Sequence, residues 1–368
     1  MRATVRSFAK INLGLGIGAR RSDGFHELRT VYQTIALEDR IRVTVEPGRG
    51  IEIRCQDPRV PEDSSNTCYQ IVERALSALE ARGRVLIEID KHLPVAGGLG
   101  AASANAVAAM LALERVLGKE LSVSERLRIA AEVGSDLPLF VIGGTVLGTG
   151  HGEEVYPLPE LPVVPCVVAT PDLAVSTPQA FRDWDVQLDQ RLPRDTAPGR
   201  TRPRLHPARG RATRVRSGQR RVSSSPASKL TAPVPSDRIE EFSRMFAVWL
   251  SVQSQHRSGK SSSGVPAKGR GRAEIQLLDL VHTGIENDFE RVVFPQYPEL
   301  REVKRVLEQA GALYASLSGS GSAVYGLFPN RAAAETGASR LRKAGTAAVV
   351  TRTLPRGEYW KKFLLSSF

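Results

Sequence analysis

Three glycines in four positions, Gly97, Gly98 and Gly100, stand inside "LPVAGGLGAASANAVAAM" (93–110), just before an alanine-rich run of helical composition. A glycine turn feeding a helix N-terminus leaves unpaired N–H groups and the positive end of the helix dipole facing one concavity, which suits a phosphate. Ser103 adds a hydroxyl in the first turn, and the small side chains of Ala101, Ala102, Ala104 and Ala106 let a polyanion approach the backbone. The stretch is not a Walker A motif, because no Lys follows the glycines, and "GGLGAA" lacks dinucleotide G-x-G-x-x-G spacing. A close-packed turn before a core helix fits the same residues. A second glycine turn, "SGSGS" (318–322), lies between two strand-like runs and offers further backbone donors.

Cys55, Cys68 and Cys166 are too few and too far apart for a metal knuckle or a disulfide framework, so a reducing cytoplasm is the expected setting. The basic N-terminus has no continuous apolar block, so no signal peptide is expected, and no apolar run is long enough to span a membrane.

The elements that must position the loop follow from periodicity. "TVRSFAKINLGLGIG" (4–18) places Val5, Ala9, Ile11, Leu13, Leu15 and Ile17 on one face, which predicts a half-buried strand with Lys10 and Asn12 on the other. Further strands are expected at 40–45, 50–54 and 84–90, and helices at 66–83, 102–117 and 122–134, with Asn66 placed to cap the first. A Gly-punctuated hairpin follows over 143–158, and "PVVPCVVATP" (162–171) predicts a buried strand that opens a second domain. Beyond it come a helix at 298–312, a strand–turn–strand unit at 313–328, a helix at 331–345 and a strand at 346–354. Helices mixed with short hairpin-joined strands point to an α+β fold, divided into domains 1–160 and 161–368.

The net charge of +12 belongs to one segment. Between Arg191 and Ala273 nineteen Lys and Arg stand against four acids, a local +15 that leaves the rest of the chain at −3. Within it 191–229 and 254–272 are rich in Pro, Gly, Ser and Arg without apolar periodicity, which predicts a disordered insertion. Residues 236–250 between them read as a capped amphipathic helix. Arg runs of this kind also bind phosphate backbones, so an RNA- or anion-binding role through 191–229 is one alternative function.

The segments "AKINLGLGIGARRSDGFHELRTVYQTI" (9–35), "LPVAGGLGAASANA" (93–106), "GSDLPLFVIGGTVLGTGHGEEVYPL" (134–158), "NDFERVVFPQYPEL" (287–300) and "SLSGSGSAVYGLF" (316–328) occur in the order and spacing of one family. The chain resembles the GHMP small-molecule kinases over nearly everything outside 191–273, and within them the branch with a diphosphocytidyl acceptor. The resemblance implies a two-domain GHMP kinase fold, with an S5-like N-terminal and a ferredoxin-like C-terminal domain. It implies transfer of the γ-phosphoryl of ATP to a hydroxyl of 4-diphosphocytidyl-2-C-methyl-D-erythritol, in the non-mevalonate route to isoprenoid precursors. Mg²⁺ is expected to arrive on the ATP, no protein metal ligand stands out, and the enzyme is expected as a monomer or homodimer. Another GHMP kinase, acting on mevalonate, homoserine or a sugar, is the alternative within the superfamily.

Residue by residue, the resemblance puts Pro94, Val95, Ala96, Gly97, Gly98, Leu99, Gly100, Ala101, Ala102, Ser103 and Ala104 around the nucleotide phosphates, and Asn66 toward adenine. Asp136 takes the place of the catalytic aspartate and Lys10 that of the catalytic lysine. Read without it, Asp136 in "GSDLP" is a helix cap and Lys10 a solvated strand residue. Phe25 and His26 match a pair that meets the cytosine ring, with Asn12 nearby, and Ser176 and Thr177 line the substrate side of the second domain. Two departures stand out. Ala101, Ala102 and Ala104 replace two glycines and a serine of the usual phosphate loop, which predicts weaker nucleotide binding if position 104 faces phosphate. The basic insertion is the other.

Overall fold

The computed structural model describes residues 1–95, 97–191 and 285–367. Alternating apolar residues run through two long strands, β1 (Arg2–Arg20) and β2 (His26–Glu46), paired antiparallel from Arg2 opposite Thr44 to Arg20 opposite His26. Three register shifts, at Phe8/Lys10, Asn12/Gly14 and Ile17/Arg20, are bulges that bend the ribbon. The expectation of a half-buried β1 needs correction: every residue from Ser7 to Gly18 is buried, Lys10 and Asn12 included. Its apolar face joins the core, and its polar face is roofed by the two glycine turns.

β3 (Gly50–Cys55) pairs parallel with β4 (Arg84–Asp90), which pairs with β2. β5 (Thr145–Thr149) adds to β2 and β6 (Glu154–Pro157) to β5. Four helices belong to this half. α1 (Thr67–Ala78) is capped by Asn66, whose carbonyl accepts from Cys68 N–H, as expected, but it ends before residue 83. α2 (Ala101–Leu117) is buried continuously from Ala104 to Glu114, and its alanines let it lie close upon β1 and β2. α3 (Val123–Val133) starts on a Ser122–Glu125 capping box. The short α4 (Leu137–Ile142) follows directly.

The second sheet is antiparallel, in the order β10 (Ala348–Arg352), β7 (Pro165–Ala169), β9 (Val324–Leu327), β8 (Tyr314–Leu317). In chain order that is fourth–first–third–second, the ferredoxin-like arrangement of a β-α-β-β-α-β unit. α5 (Thr177–Arg191), α6 (Glu290–Gln296), α7 (Pro298–Gln309) and α8 (Arg331–Lys343) accompany it, and α5 and α6 have no counterpart in the periodicity reading. The last two elements, α9 (Arg356–Phe363) and β11 (Leu364–Ser367), return to the first sheet, where β11 pairs with β1. Among the described residues no helix is long and apolar enough to cross a membrane. The insertion segments 192–229 and 254–272 and the helix expected at 236–250 lie outside the described residues.

The sheets meet through a shared core that sets the cleft between them. Ile11, Leu13 and Ile35 from the first sheet pack with Cys166, Tyr325 and Leu327 from the second, and Leu99 of the glycine loop is buried in the same cluster. After the insertion the chain rejoins β1: Leu15 N–H donates to Glu286 O and Asp288 N–H to Leu15 O, each at 2.9 Å.

Candidate active site

The glycine loop starts from a pinned corner. Asp39, fully buried on β2, accepts from the N–H groups of His92 (2.6 Å) and Leu93 (2.7 Å), from Lys91 Nζ (2.7 Å) and from Asn105 Nδ2 (3.0 Å). Four donors on one buried carboxylate fix where β4 ends and the loop begins.

Beyond that corner the loop docks onto the second glycine turn. Ser318 Oγ donates to Gly98 O at 2.9 Å, Ala323 N–H donates to Gly97 O at 3.1 Å, and Lys10 N–H donates to Leu99 O at 2.9 Å. Gly98 has φ +72°, and a Cβ there would stand 2.1 Å from the Ser318 carbonyl oxygen, so only glycine fits. Asn287 Nδ2 braces the opposing turn by donating to Leu317 O (2.9 Å) and Gly319 O (2.8 Å).

α2 then begins at Ala101 with Gly100 at its cap position and no capping side chain, unlike α1, α3 and α8. The first-turn N–H groups of Ala101, Ala102 and Ser103 have no intrahelical acceptor, the arrangement that suits an anion. Ala104 sits instead in the first core, 3% exposed, so a hydroxyl at that position would be packed into the protein interior. The expected affinity penalty therefore does not follow from this geometry. Ala96 lies outside the described residues.

Two cavities share this loop as a wall. One, of 340 Å³, is bounded by Pro61, Asn66, Cys68, Lys91, Pro94 and Val95 and by the loop through Ser103. The other, of 660 Å³, contains Lys10, Asn12, Tyr32, Asp136, Phe25 and His26. Gly98 and Ser103 line both. A larger concavity of 1110 Å³ on the solvent side of the first sheet is lined by charges that pair among themselves, such as Arg42 with Glu88 and Arg59 with Asp57. In the smaller cavity Asn66 has its amide committed at both ends, to Cys68 N–H and to Pro61 O (2.6 Å). Burial pushes the Cys68 thiol up to about 12, which keeps it protonated.

Lys10 and Asp136 come together on the other side of the loop. Lys10 Nζ donates to Asn12 Oδ1 at 2.7 Å and lies 3.3 Å from Asp136 Oδ2. Asp136 occupies the cap position of α4, yet its side chain makes no capping bond. The carboxylate is 34% exposed toward the cleft while Lys10 is 3% exposed. A buried cation thus stands beside a carboxylate that an alcohol in the cleft can reach. Tyr32, which the sequence reading passed over, donates from its hydroxyl to Asp136 Oδ1 at 2.9 Å.

Two aromatic pairs also line the cleft. Phe25, 61% exposed, lies against the His151 ring with centroids 4.7 Å apart. His26 stacks on Phe181 of α5 at 5.1 Å and 10°, and its Nε2 is 2.7 Å from Asp185 Oδ1. Thr177 lines the cleft and shares a 2.6 Å hydrogen bond with Ser320 Oγ, whereas Ser176 sits exposed at the start of α5. Phe181, Asp185 and His151 were missed because no pattern in the sequence links α5 or the 150–153 turn to "DGFHEL" (23–28).

Comparison with known proteins agrees with this architecture. The family model described as GHMP kinases N terminal domain matches residues 66–144, and GHMP kinases C terminal matches residues 273–347. The 4-diphosphocytidyl-2-C-methyl-D-erythritol kinase of Solibacter usitatus (strain Ellin6076) is 34% identical over 329 residues, covering 89% of this chain and 82% of that protein. The chain belongs to the 4-diphosphocytidyl-2-C-methyl-D-erythritol kinase family. The family member from Acaryochloris marina (strain MBIC 11017) is 32% identical over 93% of this chain and 92% of its own length. A crystal structure of 4-(cytidine 5'-diphospho)-2C-methyl-D-erythritol kinase superposes with a TM-score of 0.62 at 26% identity, covering 96% of this chain and 99% of that one. Homoserine kinase from Cytophaga hutchinsonii superposes at 0.64 with 18% identity, covering 96% of this chain and 95% of that one, which speaks for the fold alone. As a member of this kinase family the protein is an ATP-dependent small-molecule kinase.

Proposed function

We propose that the protein transfers the γ-phosphoryl of ATP to a hydroxyl of 4-diphosphocytidyl-2-C-methyl-D-erythritol, the substrate named for its relatives, and so serves the non-mevalonate isoprenoid route. The observation that carries this reading is the shared wall: Gly98 and Ser103 border both cavities, and Lys10 and Asp136 stand on one side of it. The nucleoside occupies the 340 Å³ cavity, and its phosphates lie along 97–103 against the free N–H groups of α2. The acceptor lies in the 660 Å³ cleft, with its base at Phe25 and His26 and its reacting hydroxyl beside Asp136. The first sheet, residues 1–160 with the returning 356–367, acts as the nucleotide lobe, and the second sheet supplies α5 to the acceptor.

In the reaction the hydroxyl proton passes to the Asp136 carboxylate as the hydroxyl oxygen bonds to the γ-phosphorus and the bond to the β-phosphate oxygen breaks, which releases ADP. Lys10, 3.3 Å from Asp136 Oδ2, offsets charge on the moving phosphoryl group. Among the described residues no cluster of His, Cys, Asp or Glu could hold a metal ion. Mg²⁺ would come with the triphosphate, whose phosphate oxygens it would neutralise.

Steady-state ATP turnover with the cytidyl acceptor, mevalonate and homoserine tests the assignment. Turnover is expected with the first alone; activity on mevalonate with none on the cytidyl compound would overturn it. Phe25→Ala should raise the acceptor's KM by roughly tenfold and leave that of ATP nearly unchanged, because an exposed ring that a base would cover is lost. Equal KM changes for both substrates would remove Phe25 from the acceptor site.

A further inference from the structure

Tyr32 stands on β2 directly opposite Asn12 of β1, with its side chain turned to the same cleft as Lys10 and Asp136. It is 2% exposed, yet its hydroxyl reaches Asp136 Oδ1 at 2.9 Å and its ring lies 5.5 Å from Lys10 Nζ. It therefore touches both members of the ion pair. The neighbouring hairpin is cut to fit it: a Cβ at Gly148 would meet the Tyr32 ring at 2.5 Å, and one at Gly152 would meet its hydroxyl at 2.5 Å. Two glycines, one in β5 and one in the β5–β6 turn, keep that volume clear.

We infer that Tyr32 is a positioning residue that divides the labour of the Asp136 oxygens, holding Oδ1 by a donated hydrogen bond so that Oδ2, beside Lys10, takes the acceptor's proton. The inference rests on the reading of Asp136 as general base. A hydrogen bond donated to the ionised form of a carboxylate favours that form, so loss of the hydroxyl is read in the pH dependence of turnover. The charged and titratable groups facing the carboxylate are Lys10 from β1, Tyr32 from β2 and, acting through Tyr32, Glu153 from the β5–β6 turn. Burial and the adjacent Asp136 push the phenol well above its ordinary range, so Tyr32 stays a donor and never competes for the proton.

Tyr32→Phe keeps the ring and removes the hydroxyl. The expected result is a kcat lowered about 10–100-fold at pH 7, a KM for ATP within about twofold of wild type, and an acidic limb of the pH profile moved to higher pH. Wild-type kcat with an unmoved limb would overturn the inference. If that variant does not fold, 3-fluorotyrosine at position 32 preserves the packing and donates more strongly; its acidic limb should move to lower pH, and an unmoved limb again overturns the proposal. Asp136→Asn separates the two layers: full turnover there removes the base assignment, whereas an inactive Asp136→Asn beside a fully active Tyr32→Phe removes only the role of Tyr32.

Discussion

Asp136→Asn is expected to give a folded, ATP-binding protein whose kcat falls by about 10²–10⁴, the span over which a positioned general base contributes. The amide has the shape of the carboxylate, and its oxygen still accepts from the Tyr32 hydroxyl at Oδ1. What it cannot do is take a proton from an alcohol. Lys10 keeps Asn12 Oδ1 at 2.7 Å, so the ammonium is not stranded and the stability cost stays moderate. The 340 Å³ cavity lies on the other side of the loop, is not lined by Asp136 and is untouched. Initial rates beside an equilibrium measurement of ATP binding decide the matter. Rates within a few-fold of wild type would return Asp136 to the status of a helix-start residue.

Gly98→Ala carries the second large effect. A methyl group at φ +72° is strained by about 1–3 kcal/mol, and here it would also press on the Ser318 backbone oxygen from 2.1 Å. Neither partner is the movable end of a side chain. The loop must lift off the 318–323 turn and give up the Ser318 and Ala323 hydrogen bonds. The KM for ATP should rise at least about tenfold, with a lowered melting temperature, since the N–H groups that face phosphate are displaced. Gly97→Ala is the matched comparison: a Cβ there meets only Pro94 Cγ at 3.2 Å, so the cost should be far smaller. Equal losses at 97 and 98 would mean that flexibility of the loop, and not its docking, is what matters.

Much of the site could be read from local pattern. The glycine loop, the helix behind it and the "SGSGS" (318–322) turn announce themselves because glycine and alanine runs are rare and have one physical use: bringing backbone close to something. Lys10 and Asp136 were visible only by resemblance, since each alone fits a bland role, and their 3.3 Å approach joins residues 126 positions apart. Tyr32 and Asp39 were illegible for a related reason. Each sits in an ordinary alternating strand, and what distinguishes it is a partner brought near by the fold: Asp136 for Tyr32, and the residues 91–93 with Asn105 for Asp39. The burial of Lys10 did not show in the sequence because a strand's second face looks solvated until the elements that cover it, here from residues 100 and 319, are known. α5 escaped notice since its apolar residues are few and its cleft-facing Phe181 and Asp185 look like surface positions.

Lys10 is bonded at both of its ends to different machinery, its main chain to Leu99 of the phosphate loop and its ammonium to Asp136. One residue thus joins the glycine turn to the Asp136 carboxylate across the first sheet, so a shift in either is passed to the other.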